Sequence, residues 1–355
     1  MQKLNREIGS SFYELHESDH EFQILKQDVV TLDLNFTYYY SGRNAILALL
    51  KNITNGQTIN TIWLPEYYCD TVVNLVSSNF NNIKYYAINP FEFDEEIDVT
   101  TFATHNDVVI LNNYWGLSVF SYPNKNRPII IEDYSHAWLS QQSLNSNADY
   151  CICSLRKTYP IPLGAVTWTP NSNKKINFYE YTIDKSVLKA LDTFSKSMSL
   201  KRLFIKNTKE YVKEDYLYLL DDGEALLNIS NNYIKPPDIF VDLVKKYMCL
   251  NPNPIKDKHL KYIFKHLNET PYFKIIKREG VTPFGLLLLF NDLNLFHSFK
   301  KHMISNHIYP AHLWPHNDLQ SSWKYVFNIH VDFRYDIDDM TYVCETINTW
   351  IENIS

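Results

Sequence analysis

Glycine is scarce in this chain, with only eight in 355 residues. The G-x-G-x-x-G turn that cradles a dinucleotide is absent, which removes that class of binding fold. No run approaches the roughly 18 apolar residues of a membrane span, and the N-terminus MQKLNREIGSSFYEL lacks the apolar core of a signal peptide. Basic charge is not in excess. Lys and Arg number 34 against 40 Asp and Glu, and a net charge of −6 argues against a nucleic-acid surface. Five cysteines are an odd number for a long chain. Cys151 and Cys153 are expected to point to opposite faces of a strand and not to pair easily, so a reducing cytoplasm is the expected setting. The twelve histidines form no H-E-x-x-H pattern, so no metal site is expected, and no G-x-S-x-G elbow marks a hydrolase.

What is present reads as a globular α/β chain. Hydrophobic residues make up 45% and charged residues 21%, which rules out a disordered chain. The length suits a large domain followed by a smaller one, and the pair Pro236-Pro237 is the expected break, giving domains 1–235 and 236–355. Strands are expected at 61–65, 84–87, 108–111, 129–131, 150–153 and 165–168. Helical segments lie between them, the pattern of a mostly parallel sheet. From Lys174 to about Leu250 apolar residues recur at helical spacing. Beyond Pro237 helices alternate with strands at 273–276, 285–290 and 325–331, an α+β arrangement.

The most informative stretch runs from Ile129 to Trp168. The apolar run Ile129-Ile130-Ile131 ends in Glu132-Asp133, and His136 follows. A second apolar run, Tyr150 to Cys153, leads to Ser154 and Lys157, and then to a turn with Pro160, Pro162 and Gly164. Two strands would thus each deliver a charged residue at the carboxyl edge of a sheet, where α/β folds bind ligands. A Lys amine and a carboxylate are the two groups that pyridoxal phosphate (PLP) requires. The plainer reading of such a pair is a solvated surface ion pair.

Upstream, Tyr38 to Ile53 reads YYYSGRNAILALLKNI. Ala45, Ile46, Leu49, Leu50 and Ile53 share one helical face. Ser41 is placed to cap the helix, Gly42 permits close backbone approach, and the free amides there form an anion site. Next come the strand Ile62-Trp63-Leu64-Pro65 and then Glu66-Tyr67-Tyr68-Cys69, whose two tyrosines also suit plain packing. Asn112-Asn113 ends the strand at 108–111 and is equally suited to forming a turn.

Together these segments resemble the DegT/DnrJ/EryC1/StrS group, the sugar-aminotransferase group of fold-type I PLP enzymes. The matching stretches are EIGSSF at Glu7, SGRNA at Ser41, LPEYYC at Leu64, IEDYSHA at Ile131 and SLRK at Ser154, and the likeness is best from Glu7 to Trp168. It implies a large, mostly parallel sheet domain with a smaller α+β domain, and a homodimer. It implies an aminotransferase that takes an amino group from an amino acid to a keto or aldehyde acceptor, such as a nucleotide-linked keto sugar. By resemblance Lys157 is the Schiff-base lysine, Asp133 holds the pyridine nitrogen and His136 meets the phenolic oxygen. Ser41, Gly42 and Arg43, with Asn44 and Ser154, receive the phosphate. Ser154 stands three residues before the lysine, where many relatives have serine five before. The ring-stacking position falls on Cys69, which has no ring, so Tyr67 or Tyr68 would have to supply one. Asn113 would bond the cofactor. His312 and Trp314, in IYPAHLW, would meet substrate, as would Arg334 in DFRY, although a structural pair with Asp332 or Asp336 competes for Arg334. A PLP enzyme of another reaction type, or a relative that binds without catalysis, remains open from sequence.

Overall fold

The structure is a computed structural model that describes residues 7–93, 97–170, 185–207, 212–229, 236–268, 270–311 and 319–354. In chain order the first half contains helix α1 (His20–Leu25), strand β1 (Phe36–Tyr39), α2 (Gly42–Gly56), β2 (Ile62–Pro65), α3 (Asp70–Asn79), β3 (Ile83–Tyr86), β4 (Val108–Asn112), β5 (Ile129–Asp133), α4 (Gln141–Leu144), β6 (Tyr150–Ser154) and β7 (Ala165–Trp168). The second half contains α5 (Lys185–Asn207), α6 (Lys213–Ile229), α7 (Asp238–Met248), α8 (Asn253–His266), β8 (Lys274–Ile276), β9 (Leu286–Phe290), α9 (Leu293–Ser305), β10 (Tyr325–Ile329) and α10 (Ile337–Ile354).

Seven strands form one sheet in the order β1-β7-β6-β5-β4-β2-β3. The neighbours from β6 through β3 pair in parallel, and β7 pairs antiparallel with both β6 and β1, so β7 alone is reversed. The sheet is mostly parallel, as its apolar runs imply. β4 reads VVILN and is buried at every position, because both faces are covered. Val108, Ile110, Ile131 and Ile152 face a core shared with α2 and α3. Val109, Leu111, Ile130, Cys151 and Cys153 face the opposite core. Cys151 and Cys153 lie on one face and not on opposite faces, because residues two apart in a strand point the same way, and all five cysteines are free.

The helix face Ala45, Ile46, Leu49, Leu50 and Ile53 is buried as its spacing implies, and Leu47 and Ala48 are buried too. α2 is thus enclosed, which fixes its N-terminus against the sheet edge. Three antiparallel strands in the order β10-β9-β8 form a second sheet, packed with α8, α9 and α10 around Phe299, Met303, Ile347 and Trp350. Phe240, Val244, Tyr247 and Met248 of α7 belong instead to the large core, while Ile8 near the N-terminus joins the small one. The apolar face of α7, beyond the proline pair near 236, finds its partners in the large core, and Phe333 joins that core too. Among the described residues no helix is long and apolar enough to cross a membrane.

Candidate active site

The site lies at the carboxyl edge of β5 and β6, facing the N-terminus of α2. Asp133 is the last residue of β5. Its Oδ2 accepts a 2.7 Å hydrogen bond from the Tyr68 hydroxyl, and its Oδ1 accepts one of 2.9 Å from the Ser135 amide. Burial, and then the Asp133 carboxylate, hold the Tyr68 hydroxyl well above its ordinary pKa, so it stays a phenol and a donor.

Lys157 closes the 3-10 turn Leu155–Lys157 that follows β6. Its Nζ lies 3.2 Å from Nε2 of His136. The imidazole is buried between the Trp115 ring, 5.5 Å away and nearly parallel, and the Phe284 ring at 4.6 Å. Burial, followed by the Lys157 charge, drives the His136 pKa well below its ordinary value. A neutral imidazole at this distance either accepts a proton from the amine or donates one to it, according to its tautomer.

The α2 end is built for close approach. Ser41 caps it, its Oγ accepting from the Asn44 amide at 3.3 Å. A Cβ on Gly42 would come within 3.1 Å of the Ser154 Cβ, closer than most such contacts, so glycine keeps this space open. Ser154 is fixed in turn by its amide, which donates to Ser135 Oγ at 3.0 Å. Two guanidinium groups flank this end. Arg156 meets Glu224 of α6 at 2.7 Å, and Arg43 meets Asn228 and, at 3.8 Å, the same Glu224. Burial and then Arg156 pull Arg43 below its ordinary pKa, whereas Glu224 outweighs burial and holds Arg156 above its own.

One depression of about 70 Å³ is lined by Ser41, Gly42, Arg43, Tyr68, Cys69, Asp133, Ser154 and Lys157. His136 stands behind it through its contact with Lys157. Three other expected residues lie elsewhere. The Tyr67 ring packs among Phe91, Tyr114 and Trp115 at 6.0 to 6.4 Å, where its apolar surface is buried. Asn113 uses its amide on its own loop, with Nδ2 donating to the Ser118 carbonyl at 2.9 Å and Oδ1 accepting from the Ser118 amide at 3.2 Å. It is the turn-forming residue, and it is Asn112 that pairs in register with Asp133.

Arg334 is engaged within the chain. Its Nε and Nη2 grip Asp332 at 2.9 and 2.8 Å, its Nη1 bonds the Ser10 and Ser11 carbonyls, and the guanidinium lies 4.1 Å over Phe12. The Asp332 pair won because residues two apart in this turn present a bidentate fit. EIGSSF is likewise an anchor: buried Glu7 meets Lys201 at 3.3 Å and Lys213 at 2.6 Å, and Lys201 also bonds Ser10 Oγ and the Ser11 carbonyl at 2.6 Å. His312 and Trp314 lie outside the described residues. Sequence reasoning missed Ser135, Arg156 and Glu224. The first two sit inside the quoted motifs, and nothing in the sequence links the third to them.

Neither a protein-family model nor a curated protein sequence matches the chain. Solved structures do match it. A putative sugar aminotransferase from Streptococcus pneumoniae, in its PMP form, shares 11% identity over 98% of both chains, with a TM-score of 0.63. Helicobacter pylori PseC, an aminotransferase involved in the biosynthesis of pseudoaminic acid, shares 10% identity over 98% of this chain and 100% of that one, with a TM-score of 0.59. A phosphoserine aminotransferase from Cytophaga hutchinsonii shares 11% identity over 92% of this chain and 85% of its own, with a TM-score of 0.51. The fold is that of these aminotransferases. At such identity the likeness is one of architecture, and chemistry has to be argued from the site.

Proposed function

We propose that this chain is a PLP-dependent aminotransferase of the DegT/DnrJ/EryC1/StrS kind. It would carry an amino group from an amino acid to a keto or aldehyde acceptor of the keto-sugar class. The observation that supports this most is the meeting of Lys157, Asp133 and the α2 N-terminus in one depression at the carboxyl edge of the sheet. The sugar aminotransferases that share the fold support the acceptor class.

The residues present fit the cofactor. A buried carboxylate with two donors fixed on it suits a protonated ring nitrogen. The space left open by Gly42, the capped helix end and the guanidinium of Arg156 suit a phosphate dianion. PLP, when bound, supplies an electron-withdrawing ring and the carbonyl carbon that carries the amino group. Lys157 would provide the amine that holds the cofactor and would serve as the base that moves a proton at its own Nζ. His136, neutral and 3.2 Å away, orients that amine and exchanges a proton with it. Asp133 holds the proton at the ring nitrogen, and Tyr68 and Ser135 hold Asp133 in place. Ser41, Gly42 and Ser154 bind the phosphate. His312 and Trp314 contact substrate. We place the enzyme in the cytoplasm as a homodimer.

The test is an absorbance spectrum of the protein with added PLP, wild type beside Lys157→Ala. A visible band that borohydride fixes in the wild type and that the variant lacks is expected. Conversion of that band on adding glutamate separates an aminotransferase from a lyase. No band in either protein would refute the assignment.

A further inference from the structure

A second and larger cavity, about 730 Å³, opens at the carboxyl ends of β2, β3 and β4. Its size falls within the range of small-molecule sites, roughly 300–1,000 Å³. Trp63, Tyr86, Phe102 and Tyr114 supply its flat walls. Tyr86 and Phe102 stack at 5.1 Å and 15°, and Trp63 tilts against Phe102 at 5.0 Å. The indole Nε1 of Trp63 is buried with no hydrogen-bond partner among the described residues. Glu66, Glu92 and Asp98 stand exposed at the rim, and Glu66 and Glu92 have no ion-pair or side-chain hydrogen-bond partner among the described residues. No lysine, arginine or histidine is among the described residues that line it; the nearby Lys84 lies 5.4 Å over the Trp63 ring.

This cavity is separate from the depression at Lys157. Trp115 stacks on Phe91 at 5.7 Å on one side and on His136 at 5.5 Å on the other, and the Tyr114 hydroxyl is tied to the Tyr67 carbonyl. The two spaces share no lining residue.

We propose that the cavity is a second ligand site, and that it takes an unphosphorylated ring bearing hydroxyl and amino groups, an amino sugar. Flat aromatic walls pack against the apolar faces of a sugar ring. An ammonium group is drawn both to aromatic faces and to the rim carboxylates. Three carboxylates, with no lysine, arginine or histidine among the described residues of the lining, disfavour a phosphate. The proposal does not depend on the PLP assignment, because binding is read directly.

The test uses the full chain with glucosamine, glucose and glucosamine 6-phosphate, read by saturation-transfer NMR and calorimetry. Glucosamine is expected to bind most tightly and its phosphate least. Trp63→Ala should abolish binding. Glu66→Gln, at an exposed position that leaves the fold intact, should weaken glucosamine by roughly two- to fivefold and leave glucose unchanged. Lys157→Ala should change nothing. The proposal is overturned by absence of glucosamine binding, by tighter binding of the phosphate, or by loss of binding in Lys157→Ala.

Discussion

Lys256 is a buried charge with little to compensate it, and its removal tests the electrostatics of the small domain. It lies on α8, only 8% exposed, with Asn253 Oδ1 at 3.4 Å. The carboxylate that acts on it, Asp332, is already held by Arg334 at 2.8 and 2.9 Å. Burial therefore prevails over Asp332 and brings the lysine from 10.5 down to about 8. At about 1.4 kcal/mol per pH unit, that fall corresponds to roughly 3 kcal/mol of stability lost at pH 7. The sign follows from proton counts. Between pH 8 and 10.5 the unfolded chain binds the proton and the folded chain does not, so stability rises with pH across that window. Lys256→Met keeps the length of the side chain and removes the charge. It is expected to raise the unfolding free energy at pH 7 by about 1–3 kcal/mol, and the advantage should shrink towards about pH 10. Urea unfolding of both proteins at the two pH values measures this. A variant that is less stable at pH 7, or a gap that does not change with pH, would refute the reasoning.

Tyr68→Phe removes one of two donors to the buried Asp133 and should cost about 1–3 kcal/mol in urea unfolding, with weaker PLP binding in a fluorescence titration. Equal PLP affinity in the variant would mean that Asp133 does not hold the ring. His136 is held neutral, so the pH profile of kcat should show no limb near its ordinary 6.5, and His136→Gln should lower kcat without moving the profile. An acid limb that vanishes in the variant would count against this. Burial raises the Glu7 carboxyl, but Lys201 and Lys213 outweigh it and hold the pKa below its ordinary 4.5. Its stabilisation is therefore present above pH 4.5 and lost as pH falls through the lowered value. Glu7→Gln should cost about 3 kcal/mol at neutral pH, with the difference closing in acid unfolding curves.

Local chemistry was readable in the sequence. Ser41 caps α2 because serine before a helical run bonds the amide three residues on, a relation confined to one turn. Arg334 and Asp332 likewise meet within one turn. Contacts that need three-dimensional placement were not readable: the Tyr68 hydroxyl reaches Asp133 across 65 positions, and Glu224 reaches Arg156 across 68. The reversal of β7 had a signal that went unused. Only Leu155 to Gly164 joins β6 to β7, too short for the crossover helix that a parallel neighbour needs.

The adjacent pair Glu132 and Asp133 shows how far pattern carries. Both end the same apolar run, and nothing in their side chains separates a ligand-binding carboxylate from a structural one. The sheet does separate them, because successive residues of a strand face opposite ways. Asp133 shares its face with Ile131 and the α2 side, where Lys157 and Ser154 line the depression. Glu132 turns to the other face, where Tyr122 and Tyr134 donate to it at 2.8 and 2.7 Å, Ser146 adds a third hydroxyl, and burial raises its pKa. One carboxylate lines the same depression as the Lys157 amine, and the other is enclosed by neutral hydroxyls that satisfy it. A one-residue slip in β5 would exchange them, so the register of this strand against β4 and β6 also selects which carboxylate lines the depression with Lys157.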